Sequence, residues 1–207
     1  MSSDQRPYSL AADRNREPIL NELRQLLSAG DFVLEVGSGT AQHACYFADA
    51  MPQITWQPTE TAAVLAITEE RVSSEGADNI RPPLELDVLQ SPWPDLTSDV
   101  VYSCNTFHIV SESGVEAVFR GAATVLREGG QLIVYGPFRF QGAHISDSNQ
   151  AFDQQLRAEN PERGIRDVTW LDKIAVACRF SNCVIRAMPA NNHILVWSFR
   201  GSANSVS

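Results

Sequence analysis

Apolar positions in this chain recur with two different periods, and the switches between them mark out its elements. Over residues 15–28, Ile19, Leu20, Leu23, Leu26 and Leu27 return at helical spacing, with Pro18 in the first turn and Gly30 just beyond the end. That spacing predicts an amphipathic opening helix. Phe32-Val33-Leu34-Glu35-Val36 then runs directly into Gly37-Ser38-Gly39, the pattern of a buried strand turning sharply into a helix that begins near Ala41. Further apolar or β-branched runs follow at 54–56, 84–88, 100–103 and 131–135, separated by helical patterns at 62–74 and 115–126. Strands alternating with helices predict a parallel sheet covered on both faces.

Beyond Tyr135 the rhythm changes. A polar stretch at 138–149 is followed by helical spacing at 149–159, a loop at 160–166, a second helical pattern around 170–179 and two strand-like runs, 182–188 and 193–199. Only Pro189-Ala190-Asn191-Asn192 joins those last two runs, and a connection that short requires an antiparallel hairpin. The predicted fold class is therefore α/β: a Rossmann-like, mostly parallel seven-stranded sheet, helices on both faces, and a C-terminal antiparallel hairpin. This is the layout of class I methyltransferases.

Composition narrows the function. The 207 residues are 43% hydrophobic and 20% charged, enough for one sizeable core, and no Pro/Gly/Ser-rich linker interrupts them. One domain over 1–207 is expected, with loose tails at 1–12 and 201–207. No apolar run approaches the roughly 20 residues that span a bilayer, and residues 1–6 lead into polar sequence in place of a leader's apolar core. A cytoplasmic protein without a membrane partner is predicted. Asp plus Glu number 25 against 16 Lys plus Arg, a formal charge of -9, and no segment gathers a basic stripe, which disfavours nucleic acid. The expected partner is a small-molecule acceptor, bound by a monomer or homodimer. Cys45, Cys104, Cys178 and Cys183 lack zinc-ribbon spacing and read as small buried hydrophobes, so no metal site is expected.

In such a sheet ligands bind outside the carboxyl ends of the strands, beside the first strand, where Gly37, Ser38 and Gly39 fall. Glycine lets the backbone turn tightly and approach a ligand, while the next helix offers free N–H groups. A pyrophosphate binder wants a third glycine at position 42, where this chain has Gln42, so a nicotinamide enzyme is disfavoured. Glu35, two residues before the first glycine, suits the amino end of a zwitterion or the loop N–H groups. Together these point to S-adenosylmethionine. The second strand run leads to Glu60, 21 residues after Gly39, which is the expected ribose ligand and also an acid favoured at a helix start. Asp87 at the third strand's end is placed to accept from the adenine amino group, with Val88 or Leu89 covering the ring; a turn-capping Asp is the plain alternative.

The same residues resemble the methyltransferase-like 26 proteins, also known as domain of unknown function 938. The resemblance runs from Arg14 to Phe199. It rests on Arg14-Asn15-Arg16-Glu17-Pro18, Leu34-Glu35-Val36-Gly37-Ser38-Gly39-Thr40-Ala41-Gln42-His43, Trp56-Gln57-Pro58-Thr59-Glu60, the Asn105 and His108 pair, Tyr135-Gly136-Pro137-Phe138, Phe152-Asp153, Gly164-Ile165-Arg166-Asp167 and Met188-Pro189-Ala190-Asn191-Asn192. That family usually shows Asp where this chain has Glu60, whose longer side chain still reaches a ribose. The resemblance implies the class I methyltransferase fold and its cofactor, and no particular acceptor.

Methyl transfer from a sulfonium is an in-line displacement, so the protein supplies positioning, exclusion of water and, for a hydroxyl acceptor, a base. The fourth strand delivers Asn105-Thr106-Phe107-His108 to the mouth of the expected site. His108, with an ordinary pKa near ~6.5, is the candidate base, or else it orients the loop. Asn105 is expected to position both cofactor and acceptor, and Tyr135 to follow the fifth strand into the catalytic region. Residues 135–139 and the hairpin's Asn191 and Asn192 are expected to wall the acceptor pocket, the two asparagines reading equally well as turn formers. Arg14, Asn15 and Arg16 precede the predicted opening helix, where they can fold over the cofactor or simply start the helix. His43 reads as structural and His144 as exposed. A noncatalytic scaffold that keeps the fold is the alternative function.

Overall fold

Ser9 is extended, and its hydroxyl accepts from the Ala12 N–H, so helix α1 (Leu10–Leu26) begins ahead of residue 15, where the apolar spacing alone would start it. Two expectations change with that start. Pro18 sits in the body of the helix, and Arg14, Asn15 and Arg16 ride on it where they were expected to precede it. The computed structural model describes residues 7–201; the remainder of the expected tails, 1–6 and 202–207, lies outside the described residues. Leu10 to Ala12, counted with the tail, are helical. Among the described residues no helix is long and apolar enough to cross a membrane.

The backbone divides into two compact units, Met1–Asp87 and Val88–Ser207. In the first, α1 is followed by β1 (Phe32–Val36), α2 (Gln42–Ala50), β2 (Thr55–Glu60), α3 (Ala62–Glu75) and β3 (Leu84–Glu85). β1 and β2 run parallel in register from Phe32 opposite Thr55 to Val36 opposite Thr59. β2 extends to Glu60, well past the apolar run at 54–56, because its polar end still pairs with both neighbours. β3 is shorter than the run at 84–88: only Leu84 and Glu85 pair, with one further bond from the Leu86 N–H to the Glu60 carbonyl. Val33, Leu34, Phe47 and Trp56 are fully buried between sheet and helices.

The second unit carries β4 (Ser98–Cys104), α4 (Glu112–Val125), β5 (Leu126–Gly136), β6 (Phe138–Arg139), α5 (Asp147–Glu159), β7 (Arg166–Asp167), α6 (Val168–Ala177), β8 (Val184–Met188) and β9 (Asn192–Ser198). Ser111 caps α4 by accepting from the Gly114 N–H, and Val115, Val118, Phe119, Ala122 and Val125 form its buried face. Phe119 meets Trp197 edge-on at 5.1 Å between ring centroids, which ties helix to sheet. β4 and β5 are parallel, whereas β9 is antiparallel to both β5 and β8. Ala190 and Asn191 both take left-handed backbone (φ 57° and 59°), the turn that matches strand twist in a tight hairpin. Strands β1 to β5 with β8 and β9 make the seven-stranded, mostly parallel sheet with a terminal antiparallel hairpin that the pattern predicts. One element escaped prediction: the polar stretch and following loop contribute β6 and β7, a parallel pair of two residues each. Of the four cysteines only Cys45 is buried; the other three are partly exposed.

Candidate functional site

Where β1 ends, the chain reverses into α2 through three left-handed residues, Gly37 (φ 75°), Gly39 (φ 56°) and Ala41 (φ 56°). A side chain built on Gly39 would meet nothing within 4 Å, so the loop presents bare backbone to open space there. The loop is held from the side of β2 and α3. Ser38 N–H donates to the Thr59 carbonyl at 3.0 Å, the Thr68 hydroxyl to the Gly39 carbonyl at 2.7 Å, and Gly39 N–H to Glu60 Oε2 at 2.7 Å. Glu60 Oε1 also accepts from Thr61 N–H at 2.8 Å, so one carboxylate closes the glycine loop and starts the next helix.

Of the two tasks expected of Glu35, holding the loop N–H groups falls to other residues. The loop N–H groups go to Glu60 and Thr59, and Glu35 Oε2 accepts from the Ser38 hydroxyl at 2.9 Å and the Trp56 indole at 3.0 Å. Burial pushes its carboxyl up to about 7, against the pull of those two donors.

Asp87 and Val88 follow β3, both partly buried. Arg14 is exposed on α1. Asn15 Oδ1 accepts from His43 Nε2 at 2.7 Å, and the same nitrogen lies 3.1 Å from the Ala12 carbonyl. Arg16 pairs with Asp13 at 3.0 Å and covers the Tyr46 ring. His43 thus binds α1 to α2, and burial lowers its pKa to about 4. Gln42, in place of a third glycine, accepts from Ser9 N–H at 2.5 Å.

In the second unit β4 ends at Cys104, and Asn105 turns the chain with φ 56°, its N–H donating to the Tyr135 carbonyl at 2.9 Å. Thr106 to Val110 form a tight turn that carries His108. The imidazole is 7% exposed, meets Phe152 edge-on at 5.4 Å, and makes no hydrogen bond among the described residues. Burial, then the positive charges of Arg166 and Arg163, lowers its pKa to about 4, so it is neutral at neutral pH. Asn105 and His108 do come together. A side chain on Gly136 would find His108 Nδ1 at 3.8 Å and Asn105 Oδ1 at 4.0 Å. Tyr135 is buried within β5, opposite Cys104 and Ile194.

Several organising residues were not singled out by sequence reasoning. Arg166 is 3% exposed and donates to the carbonyls of Phe107 (3.1 Å), Val110 (2.6 Å) and Glu162 (2.6 Å), gripping both ends of the His108 turn. Gly164 N–H donates to the His108 carbonyl at 3.0 Å, and buried Asp153 accepts from Ile165 N–H at 2.6 Å. The advance signal was that Phe152-Asp153 and Gly164 to Asp167 belong to family segments. His144 is a correction: its side chain is 17% exposed, and Nε2 lies 3.4 Å from Asp153, because the segment after β6 folds back onto α5. Asn191 and Asn192 are turn formers. Asn191 also anchors the hairpin to α5, its carbonyl accepting from Asn149 Nδ2 at 3.1 Å.

Comparison with known proteins places these features in context. The model of a family described as "Protein of unknown function (DUF938)" matches residues 6–199. Human N-acetylserotonin methyltransferase, solved in complex with SAM, superposes with a TM-score of 0.77 at 13% identity, over 93% of this chain and 53% of that one. An O-methyltransferase family protein from Burkholderia thailandensis gives 0.77 at 13% identity, over 93% and 58%. An O-methyltransferase family 2 protein from Planctomyces limnophilus, in complex with apigenin, gives 0.75 at 16% identity, over 91% and 60%. The likeness is one of fold, the Rossmann-like fold of these methyltransferases, and the chain spans between 53% and 60% of their lengths.

Proposed function

The chain belongs to the DUF938 family, and on that premise we propose that it is an S-adenosylmethionine-dependent methyltransferase acting on a small-molecule acceptor, within the methyltransferase-like 26 group that its sequence resembles. The observation that carries this reading is Gly39: left-handed backbone with open space at its face, its N–H closed by the Glu60 carboxylate. Solved proteins of the same fold are described with SAM or SAH, which supports the same cofactor here.

The residues present fit that group. Gly37, Ser38 and Gly39 would offer backbone to its amino-acid part, Glu60 a carboxylate to its ribose hydroxyls, and Asp87 an acceptor to its adenine. When bound, S-adenosylmethionine supplies an electrophilic methyl on a sulfonium. The chain's own chemistry is then proton removal and orientation. Neutral His108 takes the proton from an acceptor hydroxyl or thiol, Asn105 orients the acceptor, and Tyr135 lends its carbonyl to hold Asn105 in place.

Calorimetry with S-adenosylmethionine tests the reading. The wild-type chain binds; Gly39→Val, which forces a β-branched residue into left-handed backbone and fills the open face, loses binding. Glu60→Ala weakens binding by roughly ten- to a hundredfold, the loss of a charge-assisted bond of about 1.5–3 kcal/mol. No heat of binding at millimolar cofactor rejects the proposal.

A further inference from the structure

Gly136 is a glycine that its backbone does not need. It is buried in β5, takes no left-handed conformation, and a Cβ there would meet nothing closer than 3.8 Å. Glycine inside a strand costs stability relative to alanine, on the order of 0.5–1 kcal/mol, and marks places where a ligand or another backbone approaches. No backbone occupies this one: the nearest atoms are His108 Nδ1 at 3.8 Å, Phe138 Cζ at 3.9 Å and Asn105 Oδ1 at 4.0 Å, all side chain.

A second histidine shares that face. Gly136 lies opposite His193 in the antiparallel β5–β9 ladder, and directly opposed residues point to the same side of a sheet. The His193 ring meets Phe140 edge-on at 4.9 Å, while its Nδ1 is buried with no hydrogen-bond partner among the described residues. Two imidazoles thus flank the gap, each backed by a phenylalanine edge, Phe140 behind His193 and Phe152 behind His108. A buried polar atom left unpaired costs about 1–3 kcal/mol; His193 Nδ1 is such an atom, and with the unbonded His108 ring beside the same gap it points to a partner that supplies the missing bond.

We infer that the space over Gly136 is the acceptor subsite, and that it takes an uncharged, flat hydroxyaromatic compound, with one hydroxyl on His108 and a neighbouring hydrogen-bonding group on His193. This rests on the methyltransferase reading for its purpose, and on the second unit alone for its geometry. Flatness follows from the lining, in which the rings of Phe138, Phe140 and Phe152 accompany the two imidazoles. Lack of charge follows from the surroundings. Burial holds both imidazoles toward their neutral forms, and the buried Arg166 guanidinium is committed to three carbonyls and to Glu112 at 3.5 Å.

The test is binding of catechol, followed through the imidazole nitrogens of the four histidines by NMR, beside a separate calorimetric titration with S-adenosylmethionine. Catechol shifts His108 and His193 together and saturably, and leaves His43 in place, since His43 is already bonded to Asn15 and Ala12. Gly136→Ala, which fits the fold without a close contact, melts no lower than the wild type and weakens catechol at least tenfold. His193→Ala weakens it several-fold. Benzoate, flat but anionic, fails to compete. Catechol that moves neither ring, an unimpaired Gly136→Ala, or benzoate that binds as well as catechol overturns the inference. The two titrations separate the failures: cofactor binding without catechol binding removes this subsite alone, and catechol binding without cofactor binding removes the methyltransferase reading.

Discussion

The glycine loop after β1 and the His108 turn after β4 are both strand-to-helix connections with left-handed residues, yet they treat their polar atoms in opposite ways. Around the loop the neighbouring strand and helix satisfy what the turn exposes: Thr59, Glu60 and Thr68 take or give a bond to each of Ser38 and Gly39. Around the turn the backbone is bonded as thoroughly, through Arg166 and Gly164, and Asn105 and Thr106 bond to Cys104, but the His108 imidazole is left without a bond among the described residues. The histidines make the contrast plain. Burial lowers His43 and His108 alike to about 4, and His43 spends its nitrogen on Asn15 and Ala12, whereas His108 has no partner among the described residues. The first region is a finished scaffold that offers backbone to a ligand. The second is a rigid frame around unfinished side chains, and a frame of that kind is worth its stability cost only when something binds in it.

The sharpest way to break the contrast is to remove the frame. Arg166→Leu leaves three carbonyls without their donor and Glu112 without its partner. Deleting one member of a buried charged network costs about 3–5 kcal/mol, read as a fall in the urea midpoint at unchanged slope. Arg166→Lys rescues little, because an ammonium cannot span three carbonyls. A loss under about 1 kcal/mol would mean that water replaces the guanidinium and that the turn is not held from this side.

Charge separates the regions next, through pH. His108 titrates at about 4 in the fold against an ordinary 6.5, so its contribution to stability is complete above 6.5 and is lost as pH falls through 4; His43 behaves in the same way. Glu35 runs oppositely. Raised from 4.5 to about 7, it contributes fully below 4.5 and loses that contribution as pH rises through 7. At roughly 1.4 kcal/mol for each tenfold change, each displacement is worth at most about 3.5 kcal/mol. Denaturation across pH 4 to 8 shows Glu35→Gln flattening the neutral-to-alkaline limb and His108→Phe flattening part of the acid limb. If Glu35→Gln leaves the alkaline limb unchanged, the buried carboxyl is not what titrates there. Under the proposed base role, the acid limb of turnover sits near 4 and not near 6.5, wherever the protein stays folded.

The first region was far more legible in the sequence than the second. Gly37-Ser38-Gly39 after an apolar run, and Glu60 after the next strand, announce themselves because strand, turn and acid are each local patterns. The partners that hold them, Thr59 and Thr68, are ordinary threonines whose roles exist only once β2 and α3 lie beside the loop. In the second region the residue types were read and their surroundings were not. His108 was visible as a histidine at a strand end, but its lowered pKa comes first from burial and then from Arg166, 58 positions away and placed by the β6–β7 pair that the polar spacing concealed. Helix α1 failed in a simpler way: a capping Ser9 and a tolerated Pro18 outweighed the apolar period used to place its start.

The smallest effect asks from which side the loop is held. Thr68→Val removes the hydroxyl that donates to the Gly39 carbonyl and keeps the side chain's volume. The bond is only part-buried, since Gly39 is partly exposed although Thr68 is buried, so the cost in stability falls near the low end, about 1 kcal/mol. Cofactor affinity then drops no more than about fivefold, since Glu60 and Thr59 still fix the turn. Thr59→Val makes the informative companion. Its hydroxyl donates to the Glu35 carbonyl at 2.7 Å, both residues are buried, and no open face supplies a substitute. Thr59→Val therefore costs more than Thr68→Val in both the urea midpoint and the calorimetric dissociation constant. The reverse order would place the support in α3, and a loop supported by a surface helix would be one that opens, not the finished scaffold described above.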